Sequence, residues 1–346
     1  RWILGSDVMF LEKPGKPAPR PIRKGETLAK DVAKSLIRDH KVKIERLMKS
    51  FGQYGVGIPG GAEALFHARA TVQDLAKASS QNVIIIADLD MVNWFGRIEW
   101  PAIRQGYAKH LPEMLPWTEW CTRTPLEAVL PCGRKAVINR GTGQGESDGP
   151  LKASVVGGEA VAQARVATEA HQVGSWVDAW FLDDGQIFCR PEQLEPILKA
   201  LDTELAKAGA TRGSIAAGDD IKSMLTIIGP EDQRQQVIQG LSGYVKDTCR
   251  IQQTEEELKV LGGALGAATQ QAVEFHKLGA KLKKLHEALD GVDHAPTEYV
   301  LKNKCADVCK ATYALRLNGD RISQHALCFY EGAIQASLET TLGGEL

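Results

Sequence analysis

The chain has 346 residues, enough for about two domains of ordinary size, and 43% of them are hydrophobic and 25% charged. Lysine and arginine number 42 against 43 aspartates and glutamates, so the formal net charge is −1. These values exclude a collagen, a coiled coil and a disordered protein. They also exclude a positive field over the whole surface, so any phosphate-binding surface is expected to be local.

Hydropathy and cysteine spacing bear on membrane segments and thiol chemistry, but they do not choose between cytoplasm and nucleus. A long apolar run, residues 83–87, is far shorter than the roughly 18 residues that a membrane-spanning helix needs, and residues 1–7 do not resemble a signal sequence. The seven cysteines are irregularly spaced and match no zinc pattern, which indicates reduced thiols. We expect an intracellular protein, in the cytoplasm or nucleus, without a membrane partner. Because the chain begins with Arg1 inside a strand-like run, we expect a piece of a longer polypeptide.

The first third of the chain predicts a hairpin followed by helices. A strand at residues 2–10, a basic turn rich in proline and glycine, and a return near Ile22 are typical of a hairpin with a basic tip. Apolar residues at helical spacing predict one or two helices over 27–51, and a further helix over 62–78 follows a glycine-rich stretch at 55–61.

The middle of the chain predicts strands that end in carboxylates. Residues 82–90 form a continuous apolar run that ends in Asp88 and Asp90, which is typical of a strand buried on both faces. Residues 173–190 contain two β-rich runs joined by Asp183 and Asp184, which predicts a hairpin with an acidic turn.

Further elements lie around these strands. The remaining elements predicted in this region are a hairpin at 128–140, a glycine loop at 141–149, and helices at 150–171 and 191–208. Three helices are predicted beyond residue 263, at 267–289, 296–315 and 323–342. The change in composition there indicates a separate helical region.

Carboxylates on adjacent strand ends favour the binding of hard divalent cations, because Mg²⁺ prefers oxygen ligands and shares its coordination with water and substrate phosphates. Two such ions about 3.5–4 Å apart can activate an attacking hydroxyl and stabilise a departing pyrophosphate. Adjacent carboxylates such as Asp183 and Asp184 repel each other, so their presence between apolar strands indicates a compensating cation or proton.

The acidic hairpin carries a family resemblance. Phe181-Leu-Asp-Asp-Gly185 resembles the aromatic-x-Asp-Asp hairpin of reverse transcriptases, and residues 90–95 resemble the first palm motif of that family. In that motif the catalytic Asp is followed five positions later by an aromatic residue, and Asp90 with Phe95 satisfies this offset. Residues 25–34 and 55–63 also look like stretches of the non-LTR-retrotransposon type, so the chain resembles RNA-directed DNA polymerases of that type.

This resemblance implies a metal site. Asp90, Asp183 and Asp184 would be the catalytic residues and the ligands of two Mg²⁺ ions, with Mn²⁺ as an alternative. It implies as partners an RNA template, a DNA primer and dNTPs. The reaction would be attack of the primer 3′-hydroxyl on the α-phosphorus of a dNTP.

The resemblance also implies a nucleotide site. Gln144 and Gly145 match the Gln-Gly pair of the second palm motif, and Lys222 matches the palm lysine near the nucleotide. Lys16 and Arg20 would grip the triphosphate, since arginine contacts phosphate in a bidentate way and lysine supplies a point charge. An aromatic ring at Phe95 would collide with a ribose 2′-hydroxyl and admit only deoxynucleotides.

The implied fold is α+β, with the fingers and palm of a right-hand polymerase around an antiparallel sheet and a helical thumb-like region after it. The expected divisions are fingers at 1–80, palm at 81–266 and helical region at 267–346. Leu261 and Gly262 lie in a stretch that resembles the motif that positions the primer end.

Two alternatives stay open. The chain departs from the family at Ser147, Asp148 and Lys152, which stand beside the expected nucleotide site in place of proline and apolar residues. These changes are compatible with a decayed or domesticated derivative that binds nucleic acid without catalysis, or with an unrelated fold. A dinucleotide fingerprint is excluded because Glu146 stands where its third glycine belongs.

Overall fold

The computed structural model of the chain describes residues 4–12, 19–78, 83–252, 258–266, 268–292, 294–319 and 322–343. The chain divides into two compact units, Arg1–Leu65 with Gln73–Gln252 and Phe66–Val72 with Gln253–Leu346. The mixture of helices and sheets agrees with the expected α+β class. The right-hand arrangement and the division at 1–80, 81–266 and 267–346 stay predictions.

The first unit contains nine strands and ten helices within the described residues, the third helix being shared with the second unit. The strands are β1 (Ser6–Leu11), β2 (Arg20–Gly25), β3 (Ile84–Leu89), β4 (Leu126–Val129), β5 (Lys135–Ile138), β6 (Val177–Phe181), β7 (Asp184–Cys189), β8 (Met224–Ile228) and β9 (Arg250–Ile251). The helices are α1 (Thr27–Asp39), α2 (Lys41–Ser50), α3 (Gly61–Ala78), α4 (Trp94–Arg97), α5 (Trp100–His110), α6 (Leu115–Thr122), α7 (Gly149–Ala170), α8 (Pro191–Lys207), α9 (Glu231–Gly240) and α10 (Gly243–Thr248).

A five-stranded sheet in the order β6-β7-β3-β8-β9 forms the centre of this unit. The strand β3 pairs antiparallel with both β7 and β8. Its residues Ile85, Ile86 and Ala87 are fully buried, as the continuous apolar run predicted. The helix α8 packs against α7 through apolar residues that recur at helical spacing, such as Leu194, Leu198 and Leu201.

A second sheet, in the order β2-β1-β4-β5, carries the predicted N-terminal hairpin. The strands β1 and β2 pair antiparallel, with Leu11 opposite Arg20 and Val8 opposite Arg23. The strand β1 also pairs in parallel with β4. The basic tip at residues 13–18, including Lys16, lies outside the described residues.

The second unit consists of a short hairpin and helices. Its elements are β10 (Lys259–Val260), β11 (Gly263–Ala264), α11 (Ala268–Leu289), α12 (Ala295–Cys305), α13 (Val308–Asn318) and α14 (Gln324–Leu342). A buried lysine joins three of its segments, because Lys302 Nζ donates to Glu298 at 2.6 Å, to the Thr341 hydroxyl at 2.8 Å and to Asp290 at 2.5 Å. The side chain of Lys302 is only 2% exposed, so these acceptors compensate its charge within the unit.

One helix prediction was wrong. The single helix expected over 296–315 is two helices, α12 and α13, with Ala306 and Asp307 between them. The carbonyls freed at this break are satisfied by distant side chains, since a ring nitrogen of His286 bonds the Ala306 oxygen and the Tyr330 hydroxyl donates to the Asp307 oxygen at 3.1 Å. No helix among the described residues is long and apolar enough to cross a membrane.

Candidate active site

Three acidic residues meet at one end of the central sheet. In the register of β3 and β7, Asp88 is opposite Gln186 and Leu89 is opposite Gly185. The next step along this register brings Asp90 to the position opposite Asp184. Asp183 occupies the turn between β6 and β7, beside Asp184. Antiparallel pairing therefore collects the three predicted carboxylates.

The turn that presents Asp183 is tight. Phe181 pairs with Asp184, so only Leu182 and Asp183 lie in the loop. Leu182 has φ 58°, in the left-handed region that a leucine rarely occupies. Gly185, two residues after Asp183, lies against the Trp180 ring, where an added Cβ would come within 2.2 Å of a ring carbon. The glycine of the Asp-Asp-Gly sequence is therefore required by packing.

The carboxylates perturb one another. Removal of the Asp184 carboxyl from water, together with the negative charges of Asp183 and Asp90, raises the pKa of Asp184 to about 6. Burial likewise raises the pKa of Asp183, and the charge of Asp90 adds to this, although the positive charges of Lys222 and Arg20 oppose it. These carboxyls hold their protons at higher pH than ordinary aspartates, because burial disfavours their charged form and neighbouring negative charges add to that effect.

Two predicted nucleotide-site cations lie within electrostatic reach of these acids. Lys222 Nζ donates to Asp90 Oδ2 at 2.7 Å, and its side chain is 44% exposed. Arg20 is exposed on β2, and its charge acts on Asp183. The neighbouring Ser223 accepts from the Asp90 backbone N–H at 3.2 Å and thereby fixes the end of β3.

The glycine loop that carries Gln144 is clamped from two sides. The Arg23 backbone N–H donates to the Gln144 carbonyl at 2.7 Å, and a Cβ on Gly145 would come within 2.5 Å of the Arg23 carbonyl oxygen. On the other side the Thr142 N–H donates to the Phe95 carbonyl at 2.6 Å. The loop thus connects β2 to α4, which holds the half-buried ring of Phe95 against the core.

The three departures from the family pattern, Ser147, Asp148 and Lys152, follow Gly145 in the chain and lie around the start of α7. Asp148 and Lys152 form a buried ion pair at 3.0 Å, and each side chain is 5% exposed. Trp117 Nε1 donates to Asp148 at 3.1 Å, and Glu146, which is ion-paired with Arg23, lies 3.8 Å from Lys152. Burial alone would lower the pKa of Lys152, but the charges of Asp148 and Glu146 keep it raised. The polar residues compensate one another and anchor the loop.

Ser147 is the remaining departure. Its side chain has no hydrogen bond in this network, and the residue lines a cavity of about 70 Å³ beside Asp148 and Lys152. A space of this size has room for water molecules.

The three carboxylates suit a divalent cation only if substrate and water supply its other ligands. Among the described residues no group of three or more His, Cys, Asp or Glu side chains is arranged to hold a metal ion. Asp90, Asp183 and Asp184 nevertheless provide hard oxygen donors whose mutual repulsion a cation would relieve. Mg²⁺ commonly takes one or two carboxylates together with water and substrate phosphates. The chemistry of these residues therefore fits a cation that substrate helps to hold.

The residues predicted to position the primer end lie in the second unit. Leu261 and Gly262 form the turn of the hairpin β10–β11 in the second unit, where both have positive φ. The Tyr313 hydroxyl donates to the Leu261 carbonyl at 2.8 Å and fixes this turn. Their role in primer positioning stays a prediction, as does that of Lys16.

Residues that the sequence did not single out support the site. Gln53 is buried and bonds the turn at Leu182, and Arg23 holds the Gln144 loop. The spacing of Asp148 and Lys152, four apart at a helix start, is a signal for their pairing. Gln53 has no such signal, because its partner lies far along the chain.

Comparisons with known proteins find similarity among solved structures but none among family models or curated sequences. No protein-family model matches the chain, and no curated protein matches its sequence. Among solved structures the chain is similar to apo telomerase from Candida tropicalis truncated from its C-terminal domain, with a TM-score of 0.45 and 15% identity. The likeness covers 60% of this chain and 48% of that chain, so the chain spans about half of its length. The case for a function therefore rests on the residues of the site.

Proposed function

We propose that the chain is an RNA-directed DNA polymerase of a retroelement, which transfers a nucleotide from a dNTP to a primer 3′-hydroxyl. The observation that carries this proposal is the collection of Asp90, Asp183 and Asp184 at one sheet end, where burial and mutual repulsion raise the pKa of Asp184 to about 6. A cluster of this kind calls for a positive charge, and perturbed carboxyls concentrate at functional sites.

Each of the predicted residues would have a separate role in the reaction. Arg20, whose charge acts on Asp183, would bind the triphosphate. Lys222 would leave Asp90 for the nucleotide, which its exposed side chain permits. The clamped loop at Gln144 would orient the base and sugar. When bound, two divalent cations would supply the charge that activates the primer hydroxyl and stabilises the departing pyrophosphate.

Selection of deoxynucleotides is assigned to Phe95. Its half-buried ring packs on the core, and its backbone is bonded to the Gln144 loop through Thr142, so we expect the ring to lie beside the sugar of a bound nucleotide. A ribose 2′-hydroxyl would then collide with the ring. Phe95→Ala is expected to admit rNTPs while leaving the acidic residues unchanged.

The test is extension of a DNA primer on an RNA template with Mg²⁺ or Mn²⁺, offering dNTPs and rNTPs separately. Wild type should incorporate dNTPs, and Asp183→Asn should reduce incorporation by at least about 100-fold. Asp232→Asn, which removes the same charge from an exposed position on α9, is the matched control and should leave the rate unchanged. Equal activity of Asp183→Asn and wild type would contradict the assignment.

A second candidate is a reverse-transcriptase-like protein that binds nucleic acid without catalysis. It is favoured by two observations: no three-residue metal group is arranged among the described residues, and Asp90 is already paired with Lys222. Binding of an RNA–DNA hybrid by folded protein, with no incorporation under either cation, would select this candidate.

A further inference from the structure

The turn that presents Asp183 is held by a side chain from a distant part of the chain. Gln53 lies in the segment between α2 and α3, and it is 4% exposed. Its amide oxygen accepts from the Leu182 N–H at 2.8 Å, and its amide nitrogen donates to the Leu182 carbonyl at 3.1 Å. The side chain therefore satisfies both backbone groups of one turn residue.

This pairing fixes the amide in one orientation. Gln53 Oε1 also accepts from the Gly55 N–H at 2.8 Å. A rotated amide would place its NH₂ group against two N–H donors and its oxygen against a carbonyl, so all three bonds would be lost. These three bonds of Gln53, called the clamp below, therefore require a side chain that carries a donor and an acceptor side by side.

The backbone around Gln53 runs beside the edge strand β6. The Trp180 N–H donates to the Gly52 carbonyl at 2.8 Å, and the Tyr54 N–H donates to the Trp180 carbonyl at 2.6 Å. Gly55 lies so close to the turn that a Cβ there would come within 2.7 Å of the Leu182 nitrogen. The backbone of this segment is thus bonded to the hairpin independently of the Gln53 side chain.

A small space remains beneath the turn. A cavity of about 10 Å³ lies beneath it, lined by Gln53, Leu182, Asp183 and Trp94 among others. Leu182 is held at φ 58°, which is unfavourable for a residue with a Cβ. The bonds of Gln53 therefore hold a torsion that a residue with a Cβ adopts at a cost.

We infer that Gln53 is a positioning residue that holds Leu182 in the left-handed conformation and thereby fixes where Asp183 presents its carboxylate. This inference rests on the proposed function for its effect on catalysis. Its structural part, the restraint of the Leu182 backbone, is independent of any activity. Loss of the clamp would let Leu182 relax and move Asp183 away from Asp90 and Asp184.

The experiment compares four forms of the chain: wild type, Gln53→Met, Leu182→Gly and the double variant. Methionine keeps the volume of the side chain and removes all three bonds. Gln236→Met, an exposed position on α9, is the matched control. Hydrogen exchange of the Leu182 amide and steady-state nucleotide incorporation are measured on each form.

In Gln53→Met the Leu182 amide should exchange at least about tenfold faster, since it loses its acceptor. The kcat should fall about 10–100-fold, with the dNTP KM changed by less than about twofold, as expected when a supporting residue of a catalytic group is lost. Leu182→Gly should restore about fivefold of the lost rate in the double variant, because glycine adopts the left-handed conformation freely. A general loss of folding would not be restored in this way.

Unchanged exchange of the Leu182 amide in Gln53→Met would overturn the inference, as would an equal fall in kcat in the Gln236→Met control. Failure of the double variant to exceed Gln53→Met would also overturn it. If wild type incorporates no nucleotide, the proposed function fails, while the exchange comparison still decides whether Gln53 restrains the turn.

Discussion

The buried ion pair below the Gln144 loop gives a prediction that is independent of function. Asp148→Ala leaves Lys152, whose side chain is 5% exposed, without its partner at 3.0 Å. Removing one member of a buried pair costs about 3–5 kcal/mol. Glu146 at 3.8 Å and the adjoining cavity of about 70 Å³ can compensate part of the remaining charge, so we expect about 2–4 kcal/mol.

A double-mutant cycle isolates the pair. Lys152→Met should also destabilise, because Asp148 then keeps only the Trp117 N–H as a partner. The double variant Asp148→Ala with Lys152→Met leaves no buried charge of the pair and should cost less than the sum of the two changes. We expect a coupling free energy of about 2 kcal/mol, with the double variant near or above the stability of either single variant.

The assay is urea unfolding followed by tryptophan fluorescence, with ΔG extrapolated at constant m-value. Lys49→Met, which breaks the exposed pair with Glu45, is the matched control and should cost less than about 0.5 kcal/mol. A coupling below about 0.5 kcal/mol between Asp148 and Lys152 would refute the conclusion that the two departures compensate each other.

Three further predictions concern the acidic end of the sheet. Burial and neighbouring charges raise the pKa of Asp184 to about 6, so below that pH protons compete with a divalent cation for this carboxylate. The affinity for Mn²⁺, measured by water-proton relaxation, should therefore rise with pH through about 6. Lys222→Met should shift this midpoint upward, since the Lys222 charge lowers the pKa of Asp184; a pH-independent affinity in wild type would contradict both expectations. Gly185→Ala should destabilise by about 1–3 kcal/mol in urea unfolding because its Cβ meets the Trp180 ring, and a neutral effect would show that the ring moves aside.

The raised pKa of Asp184 also sets the direction of stability with pH. The folded state binds this proton more tightly than the unfolded chain, so the carboxyl favours folding at low pH and this contribution is lost as pH rises from about 4 to about 6. A bound cation is expected to restore the loss at higher pH.

The sequence by itself determined the elements that carry the acids. The apolar run of β3 and the two β-rich runs around Asp183 and Asp184 are local patterns, and a strand buried on both faces follows from continuous apolar residues. Adjacent aspartates between two apolar strands indicated a site that needs positive charge, and in the fold Lys222 Nζ lies 2.7 Å from Asp90. These inferences needed only short-range spacing.

Tertiary structure alone decided what supports those elements. The break between α12 and α13 contains no glycine or proline that would predict it, and side chains from far along the chain, His286 and Tyr330, bond the carbonyls there. Gln53 meets Leu182 across 129 residues of sequence, and the Gln144 loop is fixed by the backbone of Arg23. Contacts of this kind produce no periodic pattern in the sequence. They depend on which backbone donors and acceptors the folded chain brings together, and not on the spacing of side chains.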